Sequence, residues 1–182
     1  MELLHRIKNQ HRILFNILVV VWGSALLAAC GLVKIPLPFS PVPIVLQVSV
    51  AALVGVMLGP KRGLAASLLW LAEGAMGLPV YSGGARGLLP LIGPTGGYLL
   101  SYPLVTLVAG LLGYGQRDGA RIFLATLLGS LAVFPGGLFH LSHYVGWERA
   151  LALGLYPFLI GDFLKALLLA TVWKQVLIRR EV

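Results

Sequence analysis

Asp162 and Lys165 stand three residues apart in the stretch YPFLIGDFLKA, Tyr156 to Ala166, which opens an apolar run continuing to Lys174. On a helix this spacing puts both side chains on one face, about 60° apart. A charge inside a lipid-embedded helix is costly, so it marks a functional site by default. The alternative is an ion pair that only fixes helix packing. A carboxylate accepts N–H donors and an ammonium donates to carbonyl or carboxylate oxygens. The pair can therefore hold a small polar ligand.

The elements that carry such a pair must cross a membrane. Of the 182 residues, 58% are hydrophobic and only 11% are charged, which excludes a soluble domain. No hydrophilic stretch is long enough for a second domain, so residues 1–182 read as one membrane domain. The net charge of +8 does not point to nucleic acid, because the basic residues lie in short clusters between apolar segments. The single cysteine, Cys30, allows no disulfide and no multi-cysteine metal site within one chain. Residues 1–12 are basic and polar, as in a signal peptide. The apolar run from Ile13 to Val33 is nevertheless long enough to span a bilayer, with no A-x-A cleavage site before a soluble domain.

Periodicity predicts an all-α integral membrane protein, a bundle of six transmembrane helices at about 13–33, 44–59, 63–79, 95–114, 121–139 and 151–176. The connection KIPLPFSPVP, Lys34 to Pro43, holds four prolines and cannot be helix. Gly59 to Gly63 reads as a tight basic turn, Tyr81 to Pro94 as a glycine-rich loop, and His140 to Arg149 as the last long connection. With both termini cytoplasmic, the inner side receives Arg6, Lys8, Arg12, Lys61, Arg62, Arg117, Arg121, Lys174, Arg179 and Arg180. The outer side receives Lys34, Arg86 and Arg149. Ten against three follows the positive-inside rule.

Helical rise then sets depth. Asp162 and Lys165 lie ~8 and ~12 Å along a helix starting near Pro157, Glu73 ~9 Å below an end near Pro79, and Gln47 ~6 Å below a start at Pro43. These four polar side chains share the outer half of the membrane, which suggests a pocket open to the outside. Above it, YSGGARGLLPLIGPTGGY (Tyr81 to Tyr98) holds six glycines. Thr95 is a candidate N-cap, the N–H groups of Gly96 and Gly97 are candidate anion donors, and Arg86 is a candidate carboxylate clamp. The alternative is a glycine loop that merely re-enters the membrane.

Five ordered segments carry a family resemblance: Pro41 to Gln47 (PVPIVLQ), Leu58 to Gly63 (LGPKRG), Gly77 to Gly84 (GLPVYSGG), Gly93 to Tyr98 (GPTGGY) and Pro157 to Lys165 (PFLIGDFLK). The chain resembles the BioY family, the biotin-binding S components of energy-coupling factor (ECF) transporters, from about Ala25 to the end of the sixth helix. The resemblance implies a six-helix subunit that binds biotin from outside, with Asp162 and Lys165 in the ligand site. It also implies partners: a second membrane protein (the T component) and two ATP-binding subunits. This chain has no Walker A motif of its own. Ala25 and Ala29 have the small-residue spacing that such components use to dock the partner. Glu73 and Arg86 depart from the family pattern. No cofactor is implied, and association between copies is left open.

Biotin presents two ureido N–H donors, a carbonyl, an apolar ring and a carboxylate. Asp162 suits the N–H donors, and Gln47 can donate or accept. Lys165 can neutralise Asp162 and donate to the ligand. Arg86 and the backbone around Thr95, Gly96 and Gly97 suit the carboxylate. Gly84 belongs to the capping loop, and Trp70, Tyr81, Tyr98 and Phe158 are candidate walls. An ionised Glu73 beside the pair would leave the trio with one net negative charge, which protonation of Glu73 removes. Two other classes compete. An autonomous secondary transporter of a small carboxylated molecule needs a coupled ion. An intramembrane enzyme would use His140, Ser142 and His143, though no G-x-S-x-G or H-E-x-x-H accompanies them.

Overall fold

The computed structural model describes residues 2–178, with backbone alone for 2–10, 174 and 176–178. Arg179 and Arg180 lie outside the described residues, as do the side chains of Arg6, Lys8 and Lys174. The first helix, α1 (Glu2–Gly31), is followed by the strands β1 (Lys34–Leu37) and β2 (Ser40–Val45). Next come α2 (Gln47–Leu58) and α3 (Pro60–Ala75). A 3₁₀ turn at Ser82–Gly84 leads to the short helices α4 (Leu89–Ile92) and α5 (Gly96–Leu100). The rest is α6 (Tyr102–Gly113), α7 (Gly119–Leu131), α8 (Phe134–Val145), α9 (Trp147–Gly154) and α10 (Tyr156–Ile178). Among the described residues, four stretches are long and apolar enough to cross a membrane: His11–Gly31, Gly96–Gly113, Gly119–Val145 and Trp147–Trp173. Gln47–Leu58 is apolar but shorter.

The structure corrects four sequence expectations. The proline-rich connection is a β-hairpin, so the fold is mostly rather than wholly helical. Its strands pair Lys34 with Val45 and Leu37 with Ser40 across the turn Pro38-Phe39. Pro36, Pro41 and Pro43 lack ladder donors, so side-chain anchors matter. The Ser40 hydroxyl donates to Leu153 O of α9 at 2.7 Å. Second, Lys61 and Arg62 are not in a turn. Gly59 alone (φ 82°) separates α2 from α3, and Pro60 starts the next helix with a φ it already prefers. Third, α3 stops at Ala75, not near Pro79. Gly77 (φ 103°) closes a Schellman motif, with Leu78 N donating to Glu73 O and Gly77 N to Gly74 O, both at 3.0 Å. Glu73 therefore sits in the last turn, and the depth assigned to it fails. Fourth, 140–149 is no loop, because α8 runs to Val145 and α9 follows.

Three of the apolar stretches are interrupted, and each restarts at an aromatic residue followed by proline: Tyr102-Pro103, Phe134-Pro135 and Tyr156-Pro157. Proline is tolerated in a first helical turn, where its missing N–H has no intrahelical partner to lose. Between α2, α3 and α6, close backbone approach holds the helices. α2 packs on α3, α6 and α7, and α6 packs on α3 and α7. A Cβ on Gly55 would collide with Thr106 O and lie 3.0 Å from Gly110 N. A Cβ on Gly63 would lie 3.0 Å from the Gly55 Cα. Small residues thus form the α2–α3–α6 seam, as dispersion packing in lipid requires.

Gly55→Ala is expected to lower the thermal midpoint of the detergent-solubilised protein, with a cost of about 1–3 kcal/mol, because the obstructing atoms are backbone and cannot yield. Gly119→Ala, where a Cβ meets nothing within 4 Å, is expected to leave the midpoint unchanged. Equal midpoints for both variants would contradict the seam.

Candidate functional site

A cavity of about 320 Å³ lies between the hairpin, the 81–95 loop and the restarted helices. That is the lower end of the ~300–1,000 Å³ range of small-molecule sites. Val42, Pro43, Val45, Tyr81, Tyr98, Tyr102, Phe134 and Phe158 supply apolar and aromatic walls. Its charged residues are Lys34, Asp162 and Lys165.

The charged pair comes from the first half of α10. Asp162 is only 4% exposed. The Lys165 Nζ donates to Asp162 Oδ1 at 3.0 Å and to Val45 O at 3.2 Å. One ammonium thus satisfies the carboxylate and ties α10 to the end of β2. With Asp162 Oδ1 engaged, the other carboxylate oxygen can still accept a donor from the cavity.

The aromatic wall is held from behind. The Tyr81 hydroxyl donates to Leu71 O at 2.6 Å, and the Trp70 Nε1 donates to Val80 O at 3.0 Å. The Trp70 ring stands edge-on to Tyr81 (5.2 Å, 78°) and tilts over Tyr102 (4.7 Å, 32°). Tyr98 donates to Gly154 O at 3.0 Å. Burial pushes the Tyr81 phenol above its ordinary value, against a lowering backbone hydrogen bond at Ala75. It therefore remains a neutral donor at physiological pH.

The structure brings Asp162, Lys165, Tyr81, Thr95, Tyr98 and Phe158 together around the cavity. The other sequence candidates lie elsewhere. Gln47 is fully buried behind the wall, its Nε2 donating to Leu27 O at 2.7 Å and to Val80 O at 3.3 Å. Trp70 is a second layer rather than a lining residue. Glu73 accepts from the Ser24 hydroxyl of α1 at 2.5 Å, on the α1–α3 seam. Arg86 is exposed outside the cavity, and Gly84 does not line it. Thr95 takes the N-cap position of α5 without a side-chain cap bond. The Gly96 N–H is already donated to Gly93 O at 2.8 Å. Gly96 and Gly97 instead admit close neighbours, since a Cβ would strike Leu91 O at Gly96 and Gly136 O at Gly97. Ala25 and Ala29 are exposed on the outer face of α1, opposite the buried Gly23, Ser24 and Leu27.

His140, Ser142 and His143 do not combine into a catalytic group. The His140 Nε2 meets Gly93 O at 3.0 Å, while the Ser142 hydroxyl and His143 Nδ1 each meet Phe139 O at 2.7 Å. His140, together with a bond from the Tyr144 hydroxyl to Ile92 O, fastens α8 to the loop that carries Thr95.

Sequence reasoning missed Lys34, Ser82, Tyr102 and Phe134, all of which line the cavity. The aromatic–proline dipeptides inside apolar runs were a usable signal for Tyr102 and Phe134. They mark where a membrane helix is interrupted, and such interruptions are tolerated where they face a cavity.

A sequence profile of the BioY family matches residues 6–181. The chain belongs to the BioY family. Among BioY relatives, the probable biotin transporter BioY of Pyrococcus horikoshii is 38% identical over 133 residues, covering 73% of this chain and 79% of the relative. The biotin transporter BioY2 of Lactococcus lactis subsp. cremoris is 32% identical over 173 residues, 93% of each chain. A crystal structure of the S-component for biotin from an ECF-type ABC transporter superposes with a TM-score of 0.80 at 28% identity, covering 91% of this chain and 92% of that one. The BioY relatives are named as transporters, and this BioY chain is a membrane protein of the same fold.

Removing the Lys165 partner leaves the buried Asp162 carboxylate of the BioY chain uncompensated. Lys165→Met is expected to destabilise the protein by about 3–5 kcal/mol. The double variant Asp162→Asn/Lys165→Met is expected to recover most of that loss in a thermal or denaturant melt. A double variant no more stable than Lys165→Met would show that the carboxylate does not depend on Lys165.

Proposed function

We propose that this chain is a biotin-capturing S component that takes up the vitamin from the outer side of the membrane under the power of a partner ATPase module. The observation that carries the reading is the buried Asp162 carboxylate, paired with the partly buried Lys165 and facing an aromatic cavity of ligand size, in a chain whose family relatives are named for biotin transport. The pair offers an acceptor and a donor side by side, which matches the two N–H groups and the carbonyl of a ureido ring. The aromatic walls match the apolar thioether ring.

In this reading the chain is one membrane domain of six spans: α1, α2, α3, α5 with α6, α7 with α8, and α9 with α10. Both termini are cytoplasmic, which the ten-to-three distribution of basic residues supports. The hairpin and the glycine-rich loop then close the cavity on the outer side. The exposed Ala25 and Ala29 on α1 form the close-approach face for a T component, whose module of two ATP-binding subunits supplies the energy. Tyr81, Thr95 and Tyr98 contact the ligand, while Gln47, Gly84, Gly96 and Gly97 support the walls and the loop.

Titration calorimetry of the purified protein in detergent tests the ligand. Wild type is expected to bind biotin with one site per chain, and Asp162→Asn to lose roughly 30-fold or more in affinity. A well-folded wild type that binds no biotin would sink the proposal. For the docking face, Ala25→Leu/Ala29→Leu is expected to bind biotin normally in detergent. The same variant should lose co-purification with its module and uptake into cells. Unimpaired uptake would remove α1 from the interface.

A further inference from the structure

The charges of the cavity do not cancel. Lys165 is committed to Asp162 and to Val45 O. The Lys34 ammonium, at the start of β1, makes no hydrogen bond or ion pair among the described residues. The lining therefore carries one uncompensated positive charge. Its position is set by the loop opposite. Gly83 has a φ of 68°, and a Cβ there would lie 2.7 Å from the Lys34 Nζ and collide with its Cε. The ammonium lies across Gly83, and a Cβ there would make the lysine tail shift. The adjacent Ser82 also lines the cavity, and its Oγ is buried without a hydrogen-bond partner. A buried hydroxyl lacking a partner and a free ammonium, both lining one cavity, form an arrangement that an anionic oxygen would complete. Arg86, the cation of that loop, stands exposed outside the cavity.

We propose that Lys34 and Ser82 form the carboxylate subsite of the cavity and select the ligand as its free acid. This rests on the reading of the ligand as biotin and extends it. The ureido ring lies at Asp162 and Lys165, the apolar ring against the aromatic walls, and the valerate carboxylate where the hairpin meets the glycine loop. Specificity for the acid then comes from the first residue of the hairpin, not from the arginine of the loop.

The test is calorimetry of wild type, Lys34→Gln, Lys34→Arg, Ser82→Ala and Arg86→Gln against two probes: biotin and biotinamide, whose carboxylate is replaced by a neutral amide. Wild type is expected to prefer biotin. Lys34→Gln is expected to lose roughly ten- to a hundredfold in biotin affinity and to bind biotinamide as wild type does. Ser82→Ala should shift in the same direction by less, Lys34→Arg should keep the preference, and Arg86→Gln should match wild type. Should Lys34→Gln fail to fold, Lys34→Arg and Ser82→Ala still decide the matter. The subsite is overturned if Lys34→Gln binds biotin undiminished, if it weakens both probes equally, or if Arg86→Gln alone loses the preference. A wild type that binds neither probe overturns the biotin reading and this subsite with it.

Discussion

The Lys165 ammonium is the fastening point of the cavity end of this protein. It bonds the buried Asp162 carboxylate within its own helix and the Val45 carbonyl at the end of the hairpin. Removing two ions from water costs several kcal/mol each, and their mutual attraction offsets this only when the geometry is good and the remaining polar atoms are satisfied. Such a pair adds little net stability over an apolar replacement. What it adds is a fixed position for one charged acceptor and for the strand that walls the cavity. Val45 in turn pairs with Lys34, so the same bond also positions the start of β1.

The rest of the architecture separates rigidity from recognition. In the α2–α3–α6 seam, glycines bring backbones into contact and leave no space for a ligand. At the cavity the apolar runs are interrupted at aromatic–proline steps, and the rings of Tyr102 and Phe134 turn inward. Tyr81 and Tyr98 reach the same space from the glycine loop and α5, each phenol anchored on a backbone carbonyl. The recognition surface is thus assembled from hairpin, loop and helix restarts, with Val48 of α2, and is braced against α1 and α3, which do not themselves line it.

Much of this was legible in the residues. The apolar runs located the helices, and the 95–114 segment matches α5 with α6 almost residue for residue. Asp162 and Lys165 were legible because a charged pair in an apolar run has few bland explanations. Direction around a helix was not legible, and neither was the point at which α3 ends, on which the depth of Glu73 rested. Gln47 faces Leu27 and Val80 rather than the cavity. Glu73 faces Ser24, and the Gly77 helix stop placed it higher than the apolar pattern implied. The hairpin was hidden because its prolines exclude helix without announcing strand. The place of Lys34 depends on Gly83, 49 residues away in the chain, a relation that no local pattern carries.

A crystal structure of the protein with biotin bound tests the central claim most directly. The account predicts the ureido N–H groups within hydrogen-bond distance of the Asp162 carboxylate, the ring against Tyr81, Tyr98, Tyr102 and Phe158, and the carboxylate beside Lys34. Biotin seated elsewhere, with Asp162 still bonded to Lys165 alone, would contradict it.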